Sequence, residues 1–188
     1  MVNYIKCRVC GYVVREGKVG GVCPACGAPE TAFEPHTLPI SEARYKALRM
    51  HLHPVAVHFP QALSTLLVLA LALGLLVGGD LQVSLYSTAQ VLAGFLVLLT
   101  PAAIGSGLRD GKVRFKRLTT PALRKKVLLG GVFFAVALGN VLLVLLIPLE
   151  GTVPWLALVL GTGNVGLSVL LGLVGGSLLD SVLPNGAK

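Results

Sequence analysis

The residues best suited to chemistry are four cysteines, all within the first 26 positions of a 188-residue chain. They form two C-x2-C pairs, Cys7 with Cys10 and Cys23 with Cys26, and twelve residues separate the pairs. Such pairs set four thiolates on two facing turns, the arrangement a tetrahedral metal ion requires. Gly11 and Gly27 follow the second cysteine of each pair. A glycine there can take positive φ and turn backbone N–H groups toward the sulfurs. A segment of roughly 35 residues cannot bury enough apolar surface to fold alone, so the metal is expected to supply much of its folding energy. Spacing alone leaves iron and zinc both open.

The second cluster is Met50-His51-Leu52-His53-Pro54-Val55-Ala56-Val57-His58-Phe59-Pro60, which holds three of the four histidines. It opens a long apolar run, and a histidine inside a membrane span is a functional candidate. Pro54 suits the first helical position, so His53 is expected to be the N-cap, with His58 about one turn inside. His51, His53 and His58 are candidate cofactor ligands, and three roles are open. Two imidazoles can ligate the iron of a heme b. His53 and His58 are about 140° apart around a straight helix, so a bis-histidine heme needs a homodimer, a bend at Pro54 or a different second ligand. His58 can instead hydrogen-bond a quinone oxygen or deliver a proton. The third role is structural, with His53 capping the helix and His58 bonded to a neighbouring span.

Both clusters need elements to position them, and composition says which. Charged residues make up 13% of the chain and hydrophobic ones 54%, with a mean hydropathy of +0.81. Average soluble domains carry about 25% charged residues, so a soluble globule, a disordered chain and a collagen-like fibre are excluded. Four apolar runs reach the length of about 20 residues that spans a bilayer as helix. They cover roughly 54–78, 82–104, 127–147 and 154–179, and none contains Lys, Arg, Asp or Glu. Asp180 and Pro184 are expected to stop the last. No apolar run of the signal-peptide kind opens the chain.

The positive charges set an expected topology. Seven Lys/Arg precede the first span, eight lie between spans two and three (Arg109, Lys112, Arg114, Lys116, Arg117, Arg124, Lys125, Lys126), and the last is Lys188. Four spans put all sixteen on one side, and the other two loops carry only Asp80 and Glu150. The positive-inside rule then makes the N-terminus, middle loop and C-terminus cytoplasmic. That setting also keeps thiols reduced. The same topology explains the net charge of +8 without nucleic acid. Ser41 is a plausible N-cap for a short helix whose stripe of Tyr45, Leu48 and Leu52 would lie on the anionic leaflet, the alternative being a solvated helical linker.

Tyr4-Ile5-Lys6-Cys7-Arg8-Val9-Cys10-Gly11-Tyr12, then Cys23-Pro24-Ala25-Cys26-Gly27-Ala28-Pro29 and Phe33-Glu34, resembles the rubredoxin family, closest to the short rubredoxin-like domain of rubrerythrins. The resemblance implies one iron held by Cys7, Cys10, Cys23 and Cys26, cycling between ferric and ferrous, with Tyr4, Tyr12 and Phe33 covering it. The gap between the pairs is shorter than in full-length rubredoxins, and this segment has no tryptophan. Zinc is the alternative metal. The HP-x3-HFP-x-AL pattern resembles an uncharacterised family of bacterial four-helix membrane domains and implies architecture rather than chemistry.

Other motifs carry little. Gly161-Thr162-Gly163-Asn164-Val165-Gly166 matches G-x-G-x-x-G but lies mid-span, not between a strand and a helix. Gln90, Asn140 and Asn164 are expected to hydrogen-bond between helices. No carboxylate in a span supports an ion-coupled transporter, and no Ser-His-Asp set or H-E-x-x-H motif supports a hydrolase.

The expectation is a mainly α membrane protein. A rubredoxin-like knuckle domain (1–35) and a linker with an interfacial helix (36–53) precede a four-transmembrane-helix bundle (54–183). It would act as an electron carrier rather than a stand-alone enzyme in a prokaryotic plasma membrane. Its partners would be the lipid bilayer and a quinone, heme or membrane oxidoreductase, as a homodimer or in a larger complex. The alternative is a zinc ribbon that binds proteins, with a structural bundle.

Overall fold

The computed structural model describes residues 3–179. Asp180, Pro184 and Lys188 lie outside them. Contacts divide the chain into one unit ending at Arg49 and a second beginning at Met50.

The first unit is built on three short antiparallel strands: β1 (Tyr4–Cys7), β2 (Val13–Arg15) and β3 (Phe33–His36), in the order β2-β1-β3. The register sets Tyr4 against Arg15 on one side and Cys7 against Phe33 on the other. A helix, α1 (Glu42–Arg49), belongs to this unit. Ser41 caps it as expected, its hydroxyl accepting from the Arg44 N–H at 3.4 Å. Of the expected stripe, Leu48 is buried, whereas Leu52 falls in the second unit and is exposed. Tyr45 meets the Tyr4 ring edge-on, with centroids 5.5 Å apart, and its hydroxyl donates to the Val13 carbonyl at 3.4 Å. The Arg49 guanidinium lies 5.9 Å from the Tyr12 ring centroid and 5.7 Å from that of Tyr45. Arg15 pairs with Glu42, which also binds Lys46 one turn on at 3.0 Å. An aromatic pair is worth about 0.5–1.5 kcal/mol beyond its buried area, and an exposed cation–π contact about 0.5–1. These contacts join α1 to the strands, and the division between the units, after Arg49, falls within the expected linker of residues 36–53.

The second unit consists of four helices: α2 (Leu52–Leu76), α3 (Gly79–Phe115), α4 (Pro121–Leu146) and α5 (Val153–Leu179). Each packs on its sequence neighbour, and α5 closes the ring against α2. All four are long and apolar enough to cross a membrane. The packing is the inverse of a soluble bundle. Small residues lie inside, Ala89, Ala93, Ala137 and Ala157 among them, around Leu67, Leu71, Leu96 and Phe133. Large apolar residues such as Leu76, Leu98, Leu146 and Leu173 face outward. Water would penalise such a surface, whereas hydrocarbon does not, and small residues let helix backbones approach closely. Gly74 shows this most sharply, because a Cβ there would collide with the Tyr86 ring.

The three deep amides bond between helices as expected. Gln90 donates to the Val144 carbonyl at 2.7 Å and Asn140 to the Ala157 carbonyl at 3.2 Å. Asn164, with its amide turned to satisfy both groups, donates to the Phe133 carbonyl at 3.1 Å.

The basic stretch between the second and third runs is largely helical, not a loop. With 37 residues, α3 is about 55 Å long at 1.5 Å per residue, well beyond a hydrocarbon core of about 30 Å. It carries Arg109, Lys112 and Arg114 past the apolar run, and α4 begins with Arg124, Lys125 and Lys126 already wound. Thr120 caps α4, with Pro121 at its first position.

Candidate functional site

Each cysteine pair sits on a knuckle, and the two knuckles repeat one another. The Cys7 N–H donates to the Tyr12 carbonyl at 2.9 Å, and the Cys23 N–H to the Ala28 carbonyl at 2.7 Å. The Gly11 N–H returns to the Cys7 carbonyl at 2.9 Å, and the Gly27 N–H to the Cys23 carbonyl at 2.8 Å. Gly11 and Gly27 hold φ of 77° and 75°, which side chains with a Cβ rarely adopt. Strand β1 delivers Cys7, and its pairing with β3 fixes that end of the site.

The geometry suits a metal. Cys7 Sγ lies 3.8 Å from Cys26 Sγ, and Cys10 Sγ 3.7 Å from Cys23 Sγ. All four ligand atoms fall within 4.8 Å of one another. A tetrahedron with metal–sulfur bonds of ~2.3 Å has an edge of ~3.8 Å. The same separations are far beyond a disulfide bond of about 2.05 Å. Cys7 and Cys23 are buried, whereas Cys10 and Cys26 are exposed. The site therefore has a closed inner side and an open outer edge, flanked by exposed Val9 and Val22.

Thiols this close cannot all behave alike. Burial raises Cys23, but N–H groups of Ala25 and Cys26 and the thiols of Cys26 and Cys10 outweigh it and bring Cys23 down to about 7. For Cys26, the Ala28 N–H favours the thiolate, yet the Cys10, Cys23 and Cys7 sulfurs and burial push it up to about 12. A metal cation removes that conflict by ionising all four. Phe33 and Tyr12 lie beside the site, by register with Cys7 and by the bond from its N–H. Tyr4 is engaged with Tyr45 instead.

The structure separates the histidines. His51, not His53, is the N-cap of α2; it is exposed, has a left-handed backbone (φ 48°) and makes no side-chain capping bond. Asp110 of α3 does the capping, accepting from the His53 N–H at 3.3 Å. The His53 ring turns toward α3, with Nδ1 3.1 Å from the Ala103 carbonyl and 3.2 Å from the Ser106 hydroxyl. His58 is exposed, and its Nδ1 is occupied by the Pro54 carbonyl. Among the described residues the three do not come together as a group that could hold a metal ion.

Sequence reasoning missed Ser106, Asp110 and Lys126 around His53, and Tyr45 and Arg49 around the knuckle domain. The available signal was Asp110 itself, the only acidic residue between Asp80 and Glu150. Gly107 was a second, because a Cβ there would lie 2.8 Å from the His53 ring.

Residues 6–34 match the family model of the rubrerythrin, rubredoxin-like domain. That segment spans both knuckles and ends within β3, so the N-terminal unit contains a rubredoxin-like domain. No curated protein and no solved structure shows a significant match to the chain.

Proposed function

We propose that this chain is a membrane-anchored one-electron carrier. It would work at the cytoplasmic face of a prokaryotic plasma membrane and exchange electrons with a quinone, a heme or a membrane oxidoreductase. The observation that carries the reading is a set of four thiols within 4.8 Å of one another, in a rubredoxin-like domain, on a chain with four helices long and apolar enough to cross a membrane.

Iron bound by Cys7, Cys10, Cys23 and Cys26 supplies a one-electron couple. The protein contributes the rest. Two knuckles of the same hydrogen-bond pattern hold the sulfurs in place, so little rearrangement accompanies a change of charge. The backbone N–H groups of Ala25, Cys26 and Ala28 favour negative charge on the Cys23 and Cys26 sulfurs. Exposed Cys10 and Cys26 offer the edge at which a partner can approach. Tethering to the bundle raises the domain's effective concentration toward any acceptor in the same membrane. The distribution of Lys and Arg supports the cytoplasmic orientation.

Native membranes containing the protein test this reading. On adding a respiratory electron donor, a high-spin ferric EPR signal that depends on Cys7 and Cys23 should disappear, and it should return on reoxidation. A ferric signal unmoved by any membrane electron donor or acceptor would refute it. Zinc alone in the site would favour the protein-binding ribbon.

A further inference from the structure

The basic end of the bundle contains polar groups that the metal centre does not use. The Ala103 carbonyl can only accept, and the Ser106 hydroxyl donates to that same carbonyl at 2.7 Å. Both oxygens therefore face His53 Nδ1 as acceptors, and Nδ1 carries the proton of the neutral ring. Nε2 is left with a lone pair, buried and without a partner among the described residues. An orphan of this kind is uncommon and calls for an explanation.

The surroundings provide one. Lys126 is half-buried, unlike its exposed neighbours Arg124 and Lys125. Its Nζ lies across α5, 3.0 Å from where a Cβ on Gly175 would stand. Gln61 Nε2 lies 3.7 Å from the corresponding point on Gly172. Among the described residues no carboxylate comes within 4.0 Å of Lys126 Nζ. Asp110 accepts from the His53 N–H, and the His53 ring lies against Gly107 one turn from Gly111, where Leu123 of α4 packs one turn before Lys126. All four helices thus contribute, and at Gly172 and Gly175 of α5 the space of the absent side chains is met by two flexible polar chains. Gly172 and Gly176 are exposed, which opens this side toward lipid.

We infer that this end of the bundle binds a hydroquinone headgroup: one hydroxyl donates to His53 Nε2, and another oxygen accepts from Lys126 or Gln61. The mixture of groups decides the class. A lipid phosphate would suit Lys126 and Gln61 but would meet a lone pair at His53 and the Asp110 carboxylate. A neutral ring that both donates and accepts meets no such conflict. That the ligand is a redox headgroup, rather than another hydroxylated ring, rests on the electron-carrier reading.

The test uses the full chain in nanodiscs with zinc in the cysteine site, and decylubiquinol as the probe, followed by calorimetry. Saturable binding is expected. His53→Asn keeps a side-chain N–H near the Ala103 carbonyl but removes the Nε2 acceptor, and Lys126→Met keeps the stem but removes the charge. Each should weaken binding roughly tenfold, with thermal unfolding unchanged as the folding control. No saturable binding, or equal binding in both variants, overturns the inference. So does displacement of the quinol by short-chain phosphatidylglycerol whose own binding needs Lys126 but not His53. Zinc loading separates the two readings. A chain that isolates with redox-active iron but binds no quinol loses only this inference. One that binds quinol but isolates with zinc alone loses only the carrier reading.

Discussion

Removing the metal should unfold the first unit and leave the second intact. Among the described residues before Met50, the buried hydrophobic side chains besides the ligands Cys7 and Cys23 are Tyr4, Ile40 and Leu48. At about 1.5–3 kcal/mol each, their burial contributes about 5–9 kcal/mol. A four-thiolate metal site contributes about 10–16 kcal/mol. The metal is therefore the larger share, and the strands are too short to persist without it. Hydrogen exchange on the full chain in detergent, before and after chelation, reads this residue by residue. The Cys7 and Cys23 amides, bonded to the Tyr12 and Ala28 carbonyls, should fall to the exchange rate of an unstructured peptide. Amides in α3 and α4 should not change. Protection of β1 and β3 that survives complete metal removal would refute the reasoning, as would loss of protection in the bundle.

Other contacts give further expectations. Gly74→Ala sets a Cβ against the Tyr86 ring and should cost about 1–3 kcal/mol of bundle stability, seen as a lower Tm in detergent; adding Tyr86→Leu should recover most of it. The Lys46 ammonium, and then the Arg15 guanidinium, hold the Glu42 carboxyl below its ordinary 4.5. A depressed folded-state value stabilises above 4.5 and is lost as pH falls through that lower value. Exchange protection of α1, corrected for intrinsic rate, should drop there, and Glu42→Gln should abolish the dependence. Asn140→Leu removes one interhelical bond, worth about 0.6 kcal/mol in membranes, together with an unpartnered buried Oδ1. Its Tm should therefore stay close to that of the parent, and a large fall would show that Asn140 is more than packing.

What could be read from the sequence was local. The knuckles were legible because ligands, glycines and their hydrogen-bond partners lie within six residues of one another. The four spans were legible because hydropathy reports them directly. Their ends were not: α3 runs on to Phe115 and α4 starts at Pro121 through charged residues that hydropathy reads as loop. Helix α1 has the periodicity of an amphipathic segment, but periodicity does not say which surface receives the stripe. Tyr45 finds Tyr4, 41 positions away. His53 was misjudged as the cap for the same reason, since the group that caps α2 is Asp110, brought from α3 by the antiparallel packing of two helices.

The central claim is a redox-active iron held by the four cysteines. The visible absorption of detergent-purified protein, recorded as isolated and after dithionite together with metal analysis, tests it most directly. About one iron per chain is expected, with a ferric–thiolate charge-transfer band that bleaches on reduction and returns in air. A colourless protein with one zinc per chain would contradict it.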